Sequence, residues 1–179
     1  MSTQSIIVMT IGHSTRTLED FNRLLLENAV KRVVDVRTVP RSRHVPQFNR
    51  ETLPTQLSVI GIGYVHMAGL GGLRRPFKDS PNIGWRNASF RGFADYMQSK
   101  EFEESLQALI EFAERERIAL MCAEALPWRC HRSLIADALG VRDVRVQHIL
   151  GPGRLLPHTL TSWAKVDGTR IMYPSLEKL

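Results

Sequence analysis

Apolar residues fall along this chain in two spacings, and the spacings alternate. Short continuous runs occupy residues 6–11 (IIVMTI), 33–37 (VVDVR), 64–67 (YVHM), 118–121 (IALM) and 144–150 (VRVQHIL). Runs of this length read as buried strands. After the first, Leu18, Phe21, Leu24 and Leu25 recur at three- and four-residue steps, which predicts a helix starting at Thr17. Its hydroxyl can cap that helix, with Asp20 at the third position. Residues 51–60 suit a short helix, because Pro54 falls in a first turn where it is tolerated. Helices are also expected over 90–98 and 101–116, the second burying Phe102, Leu106, Leu109, Ile110 and Ala113. A further one carries Leu134, Ile135, Ala138 and Leu139, and 161–165 can form a short last helix.

Alternating strand and helix predicts an α/β fold. The expected architecture is a three-layer, Rossmann-like domain with a five-stranded, mostly parallel sheet and helices on both faces. The long excursion between the third and fourth strands suits a crossover that restarts from mid-sheet, as in a 3-2-1-4-5 order. Strands one and four are then neighbours, and Gly12-His13-Ser14 faces Cys122-Ala123-Glu124. No repeat, linker or low-complexity tract interrupts the chain. Residues 1–179 therefore read as one domain, with 151–179 an extension packed on it.

Composition narrows the partners. A formal charge of +6 favours an anionic or phosphate-bearing ligand. Nucleic acid is a further expected partner, through Arg41, Arg43, Arg74, Arg75 and Arg86, with Phe48, Phe77 and Trp85 interleaved as stacking platforms. The first residues lack a basic segment followed by a long apolar one, and no apolar run approaches the ~18 residues of a membrane span. A cytoplasmic protein without a membrane partner is expected. Its two cysteines make no disulfide framework and are expected to be reduced. The pattern sets no oligomeric state.

The chemistry concentrates in one strand-to-helix turn, IALMCAEALPWRCHRSLIADAL over residues 118–139. Such turns are where an α/β protein usually holds its ligand. Cys122 is either a small packed hydrophobe or a thiolate nucleophile, activated by the following helix and by Arg129 or Arg132. Continued alternation points Glu124 the same way as Cys122, into the crevice. There it either pairs with Arg132 or serves as nucleophile or general base. Cys130-His131-Arg132 opens the next helix, where backbone N–H groups and a forked cation favour a phosphate or carboxylate. Arg132 can instead lock the loop by pairing with Asp35 or Glu124.

Asp35 and Arg37 share a face at the end of strand two, either as an ion pair or as an acid and an anion-binding fork. His13 can carry a proton or simply hold the turn. Ser14 beside it, and Tyr64 and His66 on strand three, complete the candidate set. Cys122, Cys130, His131 and His13 include metal-ligand types, but Cys-x7-Cys-His matches no standard zinc spacing, so no metal is expected. Six residues separate Cys122 from Arg129, one more than the tyrosine-phosphatase loop requires. No Gly-x-Gly-x-x-Gly or Walker loop is present, so no cofactor is expected.

The chain resembles the bacterial and archaeal family catalogued as domain of unknown function 488. The resemblance rests on Thr10-Ile11-Gly12-His13-Ser14, Asp35-Val36-Arg37 with Pro40, Tyr64, Leu70-Gly71-Gly72, Met121-Cys122-Ala123-Glu124 and Cys130-His131-Arg132, in order over about residues 8–160. It implies a small α/β protein whose marked residues form one shared site. The family has no settled activity. Three functions fit the residues. One is a hydrolase or group transferase acting on a phosphate-bearing, nucleotide- or nucleic-acid-like substrate. In it Glu124, Asp35, His13 and Cys122 do the catalysis, and Arg132, Arg37, His131, Cys130, Ser14 and Tyr64 bind the anion. The second is a basic nucleic-acid-binding module, and the third a purely structural polar network.

Overall fold

A computed structural model describes residues 5–175. The runs form strands β1 (Ile7–Gly12), β2 (Arg32–Asp35), β3 (Gly63–His66), β4 (Ile118–Cys122) and β5 (Arg145–Gly151), joined by β6 (Arg154–Pro157). They make one six-stranded sheet in the order β3-β2-β4-β1-β5-β6, parallel except for the β5–β6 pair. Helices α1 (Leu18–Glu27) and α2 (Leu53–Val59) cover one face. Helices α3 (Ala88–Tyr96), α4 (Lys100–Arg115) and α5 (Arg132–Gly140) cover the other. No helix among the described residues is long and apolar enough to cross a membrane.

The fold is the expected three-layer α/β arrangement with two differences. The sheet gains a sixth strand, because residues 154–157 fold back antiparallel on β5 through Gly153 in the left-handed region. And β4 inserts between β2 and β1, so the first two strands are not neighbours. Burial explains this. Ile118, Ala119, Leu120 and Met121 are all fully buried, as a central strand must be, whereas β3 is half-exposed along its length and takes the edge. The expected contact of strands one and four holds, with Gly12 opposite Cys122.

Period-two alternation sorts the strand side chains into two cores. Val8, Val34, Val36, Ile118 and Leu120 pack under α3, α4 and α5, with Phe93, Phe102, Leu106 and Leu109. Met9, Ile11, Val33, Ala119 and Met121 pack under α1 and α2, with Phe21, Leu24, Leu53 and Leu57. Thr17 caps α1 as its spacing predicts, accepting from Asp20 N at 3.1 Å. Residues 161–165 are not a helix. Thr161 is tied through its N–H and hydroxyl to the Asp137 carboxylate, and the chain turns into the hairpin β7 (Lys165–Asp167) and β8 (Arg170–Met172). Ile171 and Tyr173 from this C-terminal stretch enter the α3–α5 core.

Candidate active site

The same alternation divides the expected site residues between the two faces of the sheet. Asp35 and Arg37 follow Val33 onto the α1/α2 side. Cys122 follows Ile118 and Leu120 onto the α5 side. The predicted single hollow is therefore two constellations back to back, meeting at the C-terminal rim of β1, β2 and β4.

On the α1/α2 side the groups satisfy one another. Asp35, fully buried, accepts from Arg37 Nε at 2.9 Å, Arg37 Nη2 at 2.7 Å, Arg37 N at 3.1 Å and the Tyr64 hydroxyl at 2.6 Å. Two more guanidinium N–H groups reach the Phe48 carbonyl and His13 Nε2, which leaves one on Nη1 without a partner among the described residues. His13 stacks on Phe48 with ring centroids 4.5 Å apart and donates from Nδ1 to the Ser14 carbonyl at 2.9 Å. Both of its nitrogens are engaged. Burial pushes its pKa down to about 4, so it stays neutral at physiological pH. Burial and the Asp35 carboxylate likewise raise the Tyr64 hydroxyl, which remains protonated. Ser14 stands at φ 45° and is held through its N–H to the Ala123 carbonyl. His66 bonds the Arg37 carbonyl from Nε2 at 2.7 Å. This is a brace.

On the α5 side the groups are left facing a cleft. A 3-10 turn, Pro127–Arg129, carries the chain from β4 back to α5 and sets Cys130, His131 and Arg132 over the end of Cys122. His131 Nε2 lies 3.0 Å from both the Val36 and Leu70 carbonyls. Two acceptors hold a proton on Nε2, and Nδ1 faces Cys130 Sγ, 3.7 Å away. A Cβ on Gly72 would sit 2.5 Å from that Nδ1, so the ring needs glycine there. Gly12 is needed for a similar reason, since its Cβ would meet the Glu124 carbonyl oxygen.

Arg132 is the largest fully buried side chain, at 1% exposure. Its Nε donates to Cys130 Sγ at 3.3 Å, Nη1 to Thr10 Oγ1 at 3.3 Å, and Nη2 to the Glu124 carbonyl. Among the described residues it makes no ion pair with a carboxylate. The expected pairing of Arg132 with Asp35 or Glu124 does not occur. Asp35 belongs to Arg37, and Glu124 reaches Arg132 only through its backbone. The Glu124 carboxylate is exposed and accepts from Leu126 N at 3.2 Å. Its predicted inward orientation fails because β4 ends at Cys122, and alternation does not survive the turn that follows.

A buried guanidinium needs a negative partner nearby. The candidate is Cys130, held well below the usual thiol range first by the neighbouring Cys122 sulfur, opposed by burial and aided by His131 and Arg132. The Cys122 thiol is pushed up by Cys130 beside it and by burial. The arrangement therefore favours a thiolate on Cys130 while Cys122 keeps its proton. Both line a cleft of about 310 Å³ together with Arg37, Thr38, Gly72, Phe90, Arg129 and His131. The two sulfurs and a ring nitrogen of His131 all lie within 4.8 Å of one another, close enough to share a metal ion. However, the guanidinium already occupies the cationic position beside Cys130 Sγ, which disfavours a second cation there.

Arg132 also ends a buried chain that the spacing did not suggest. Thr10 Oγ1 lies 2.7 Å from His148 Nδ1, His148 Nε2 lies 3.0 Å from His158 Nδ1, and His158 Nε2 lies 2.8 Å from Asp137 Oδ1. Asp137 also accepts from the Tyr173 hydroxyl at 2.8 Å. Burial pushes His148 down to about 3, so its ring stays neutral. The available signal was Asp137 itself, a carboxylate inside the apolar stripe of α5. Of the basic loop residues, Arg41, Arg43, Arg75 and Arg86 are exposed. Arg74 instead folds over the Tyr96 ring, 3.6 Å from its centroid, and bonds the Gly71 and Ala68 carbonyls.

The sequence model of a family described as "Domain of unknown function DUF488" matches residues 17–139. The chain belongs to that family. No curated protein and no solved structure matches it. The DUF488 match contains Asp35, Arg37 and Tyr64 of the brace, and Cys122, Cys130, His131 and Arg132 of the thiol cleft. It ends before His148 and His158 and begins after Thr10, His13 and Ser14.

Proposed function

We propose that this DUF488 protein is a thiolate-dependent hydrolase or group transferase for a small anionic, phosphate-bearing substrate. One observation carries the reading: a fully buried arginine whose Nε points at a cysteine sulfur and which has no carboxylate to neutralise it. Arg129 and Arg37 at the cleft wall receive the substrate's anionic group. Cys130 Sγ attacks the electrophilic centre, a new bond to sulfur forms, and the bond to the leaving oxygen breaks. The Cys122 thiol supplies the proton that the leaving oxygen takes up. Water or a second acceptor then removes the group from Cys130. Asp35, His13 and Tyr64 act indirectly here, by holding Arg37 at the rim.

The test is a panel of p-nitrophenyl phosphate mono- and diesters and nucleoside phosphates, assayed under reductant. Turnover that disappears in Cys130→Ser and falls in Arg132→Met supports the assignment. Unchanged turnover in Cys130→Ser removes it. So does iodoacetamide labelling of Cys130, at mildly acidic pH, no faster than that of free cysteine.

A further inference from the structure

Cys122 is an unusual companion for a nucleophilic thiolate. Its sulfur lies within 4.8 Å of Cys130 Sγ, it is only half-buried, and it lines the same cleft. Residues 123, 124, 128 and 129 between the two cysteines are exposed and outside strand and α-helix. The sulfurs can therefore close on one another without breaking the sheet or α5. We infer that Cys130 is a modification site for hydroperoxides and that Cys122 is its resolving thiol. This rests on the reading of Cys130 as a thiolate but not on its having a substrate.

The chemistry balances with a hydroperoxide as oxidant. Cys130 Sγ attacks the terminal peroxide oxygen, so an S–O bond forms, the O–O bond breaks, and the departing hydroxide or alkoxide takes a proton. With hydrogen peroxide that gives a sulfenic acid and water. Cys122 then loses its proton and attacks Cys130 Sγ. The S–O bond breaks, hydroxide leaves as a second water, and a Cys122–Cys130 disulfide remains. The two sulfurs together give up two electrons and the peroxide accepts them. A dithiol reductant reverses the change by exchange. Three features equip Cys130 for the first step. They are the guanidinium at 3.3 Å, the imidazole at 3.7 Å that Gly72 and two carbonyls aim at it, and the open cleft in front.

The experiment uses the reduced full-length protein and one equivalent of hydrogen peroxide, read by intact mass and peptide mapping. The expected product is lighter by two hydrogens, carries a 122–130 cross-link, and regains both free thiols with dithiothreitol. Cys122→Ser should stop at a sulfenic acid on Cys130 that dimedone traps. Cys130→Ser should leave Cys122 reacting at least roughly tenfold more slowly than Cys130 does in the wild type. Two results overturn the inference: a wild type that accumulates sulfenic or sulfinic acid without the cross-link, or two cysteines that oxidise equally slowly. Turnover under reductant is measured in parallel. Cross-linking without any turnover removes the hydrolase reading alone, and turnover without cross-linking overturns this inference alone.

Discussion

Replacing Asp35 by asparagine tests whether the α1/α2 side is a brace or a catalytic group. The carboxylate is fully buried and accepts four hydrogen bonds, three from Arg37 and one from Tyr64. An asparagine keeps one acceptor oxygen and turns an NH2 toward groups that are themselves donors. Arg37, at 6% exposure, then keeps that oxygen, the Phe48 carbonyl and neutral His13 as partners, none of them charged. Breaking a buried pair from one side costs about 3–5 kcal/mol, because the surviving charge stays desolvated. With a urea m-value of ~2–3 kcal/mol/M, the unfolding midpoint should fall by roughly 1.5 M. The double variant Asp35→Leu with Arg37→Met removes both charges and should recover most of that loss, since apolar replacement of a whole buried pair is often neutral. Urea unfolding followed by circular dichroism reads both variants. A single variant that costs less than about 1 kcal/mol, or a double variant no better than the single, refutes the brace. Loss of turnover with an unmoved midpoint would return Asp35 to the reaction itself.

Three further outcomes are expected. His13, buried and lowered to about 4, binds its proton more weakly folded than unfolded. Stability should therefore fall as pH drops from about 6.5 toward 4, by ~3 kcal/mol from this residue. His148 acts in the same direction, and His13→Asn should flatten the acid limb of a pH–stability curve; an unaltered limb contradicts the assignment. Gly72→Ala drives a methyl group into the His131 ring and should cost about 1–3 kcal/mol while slowing alkylation of Cys130, measured by melting and iodoacetamide kinetics together. If the exposed Arg41, Arg43, Arg75 and Arg86 bind a polyanion, affinity for a short oligonucleotide should fall log-linearly with salt, and neutralising two of them should reduce the slope by about 2. Salt-independent retention in a gel-shift would exclude nucleic acid as a partner.

Much of this protein was legible before any coordinates. Apolar periodicity located the five parallel strands and the main helices, because burial on one or two faces constrains side-chain type at a spacing set by backbone geometry. It also led to the turn carrying Cys122, Cys130, His131 and Arg132, since a dense group of reactive side chains after a buried strand stands out on the chain alone. Alternation further predicted that Asp35 and Arg37 share a face, and they do.

Tertiary structure alone decided which strand faces which. Periodicity relates residues within a strand but not between strands, so the insertion of β4 between β1 and β2 could not be read. Neither could the division of His13, Asp35 and Arg37 from the cysteines. Alternation also stops where a strand stops, which is why Glu124 turned outward. Arg132's lack of a carboxylate, and its link through Thr10, His148 and His158 to Asp137, join residues more than a hundred positions apart. Charge compensation in a desolvated interior depends on distance in space, and only the packed sheet sets that distance.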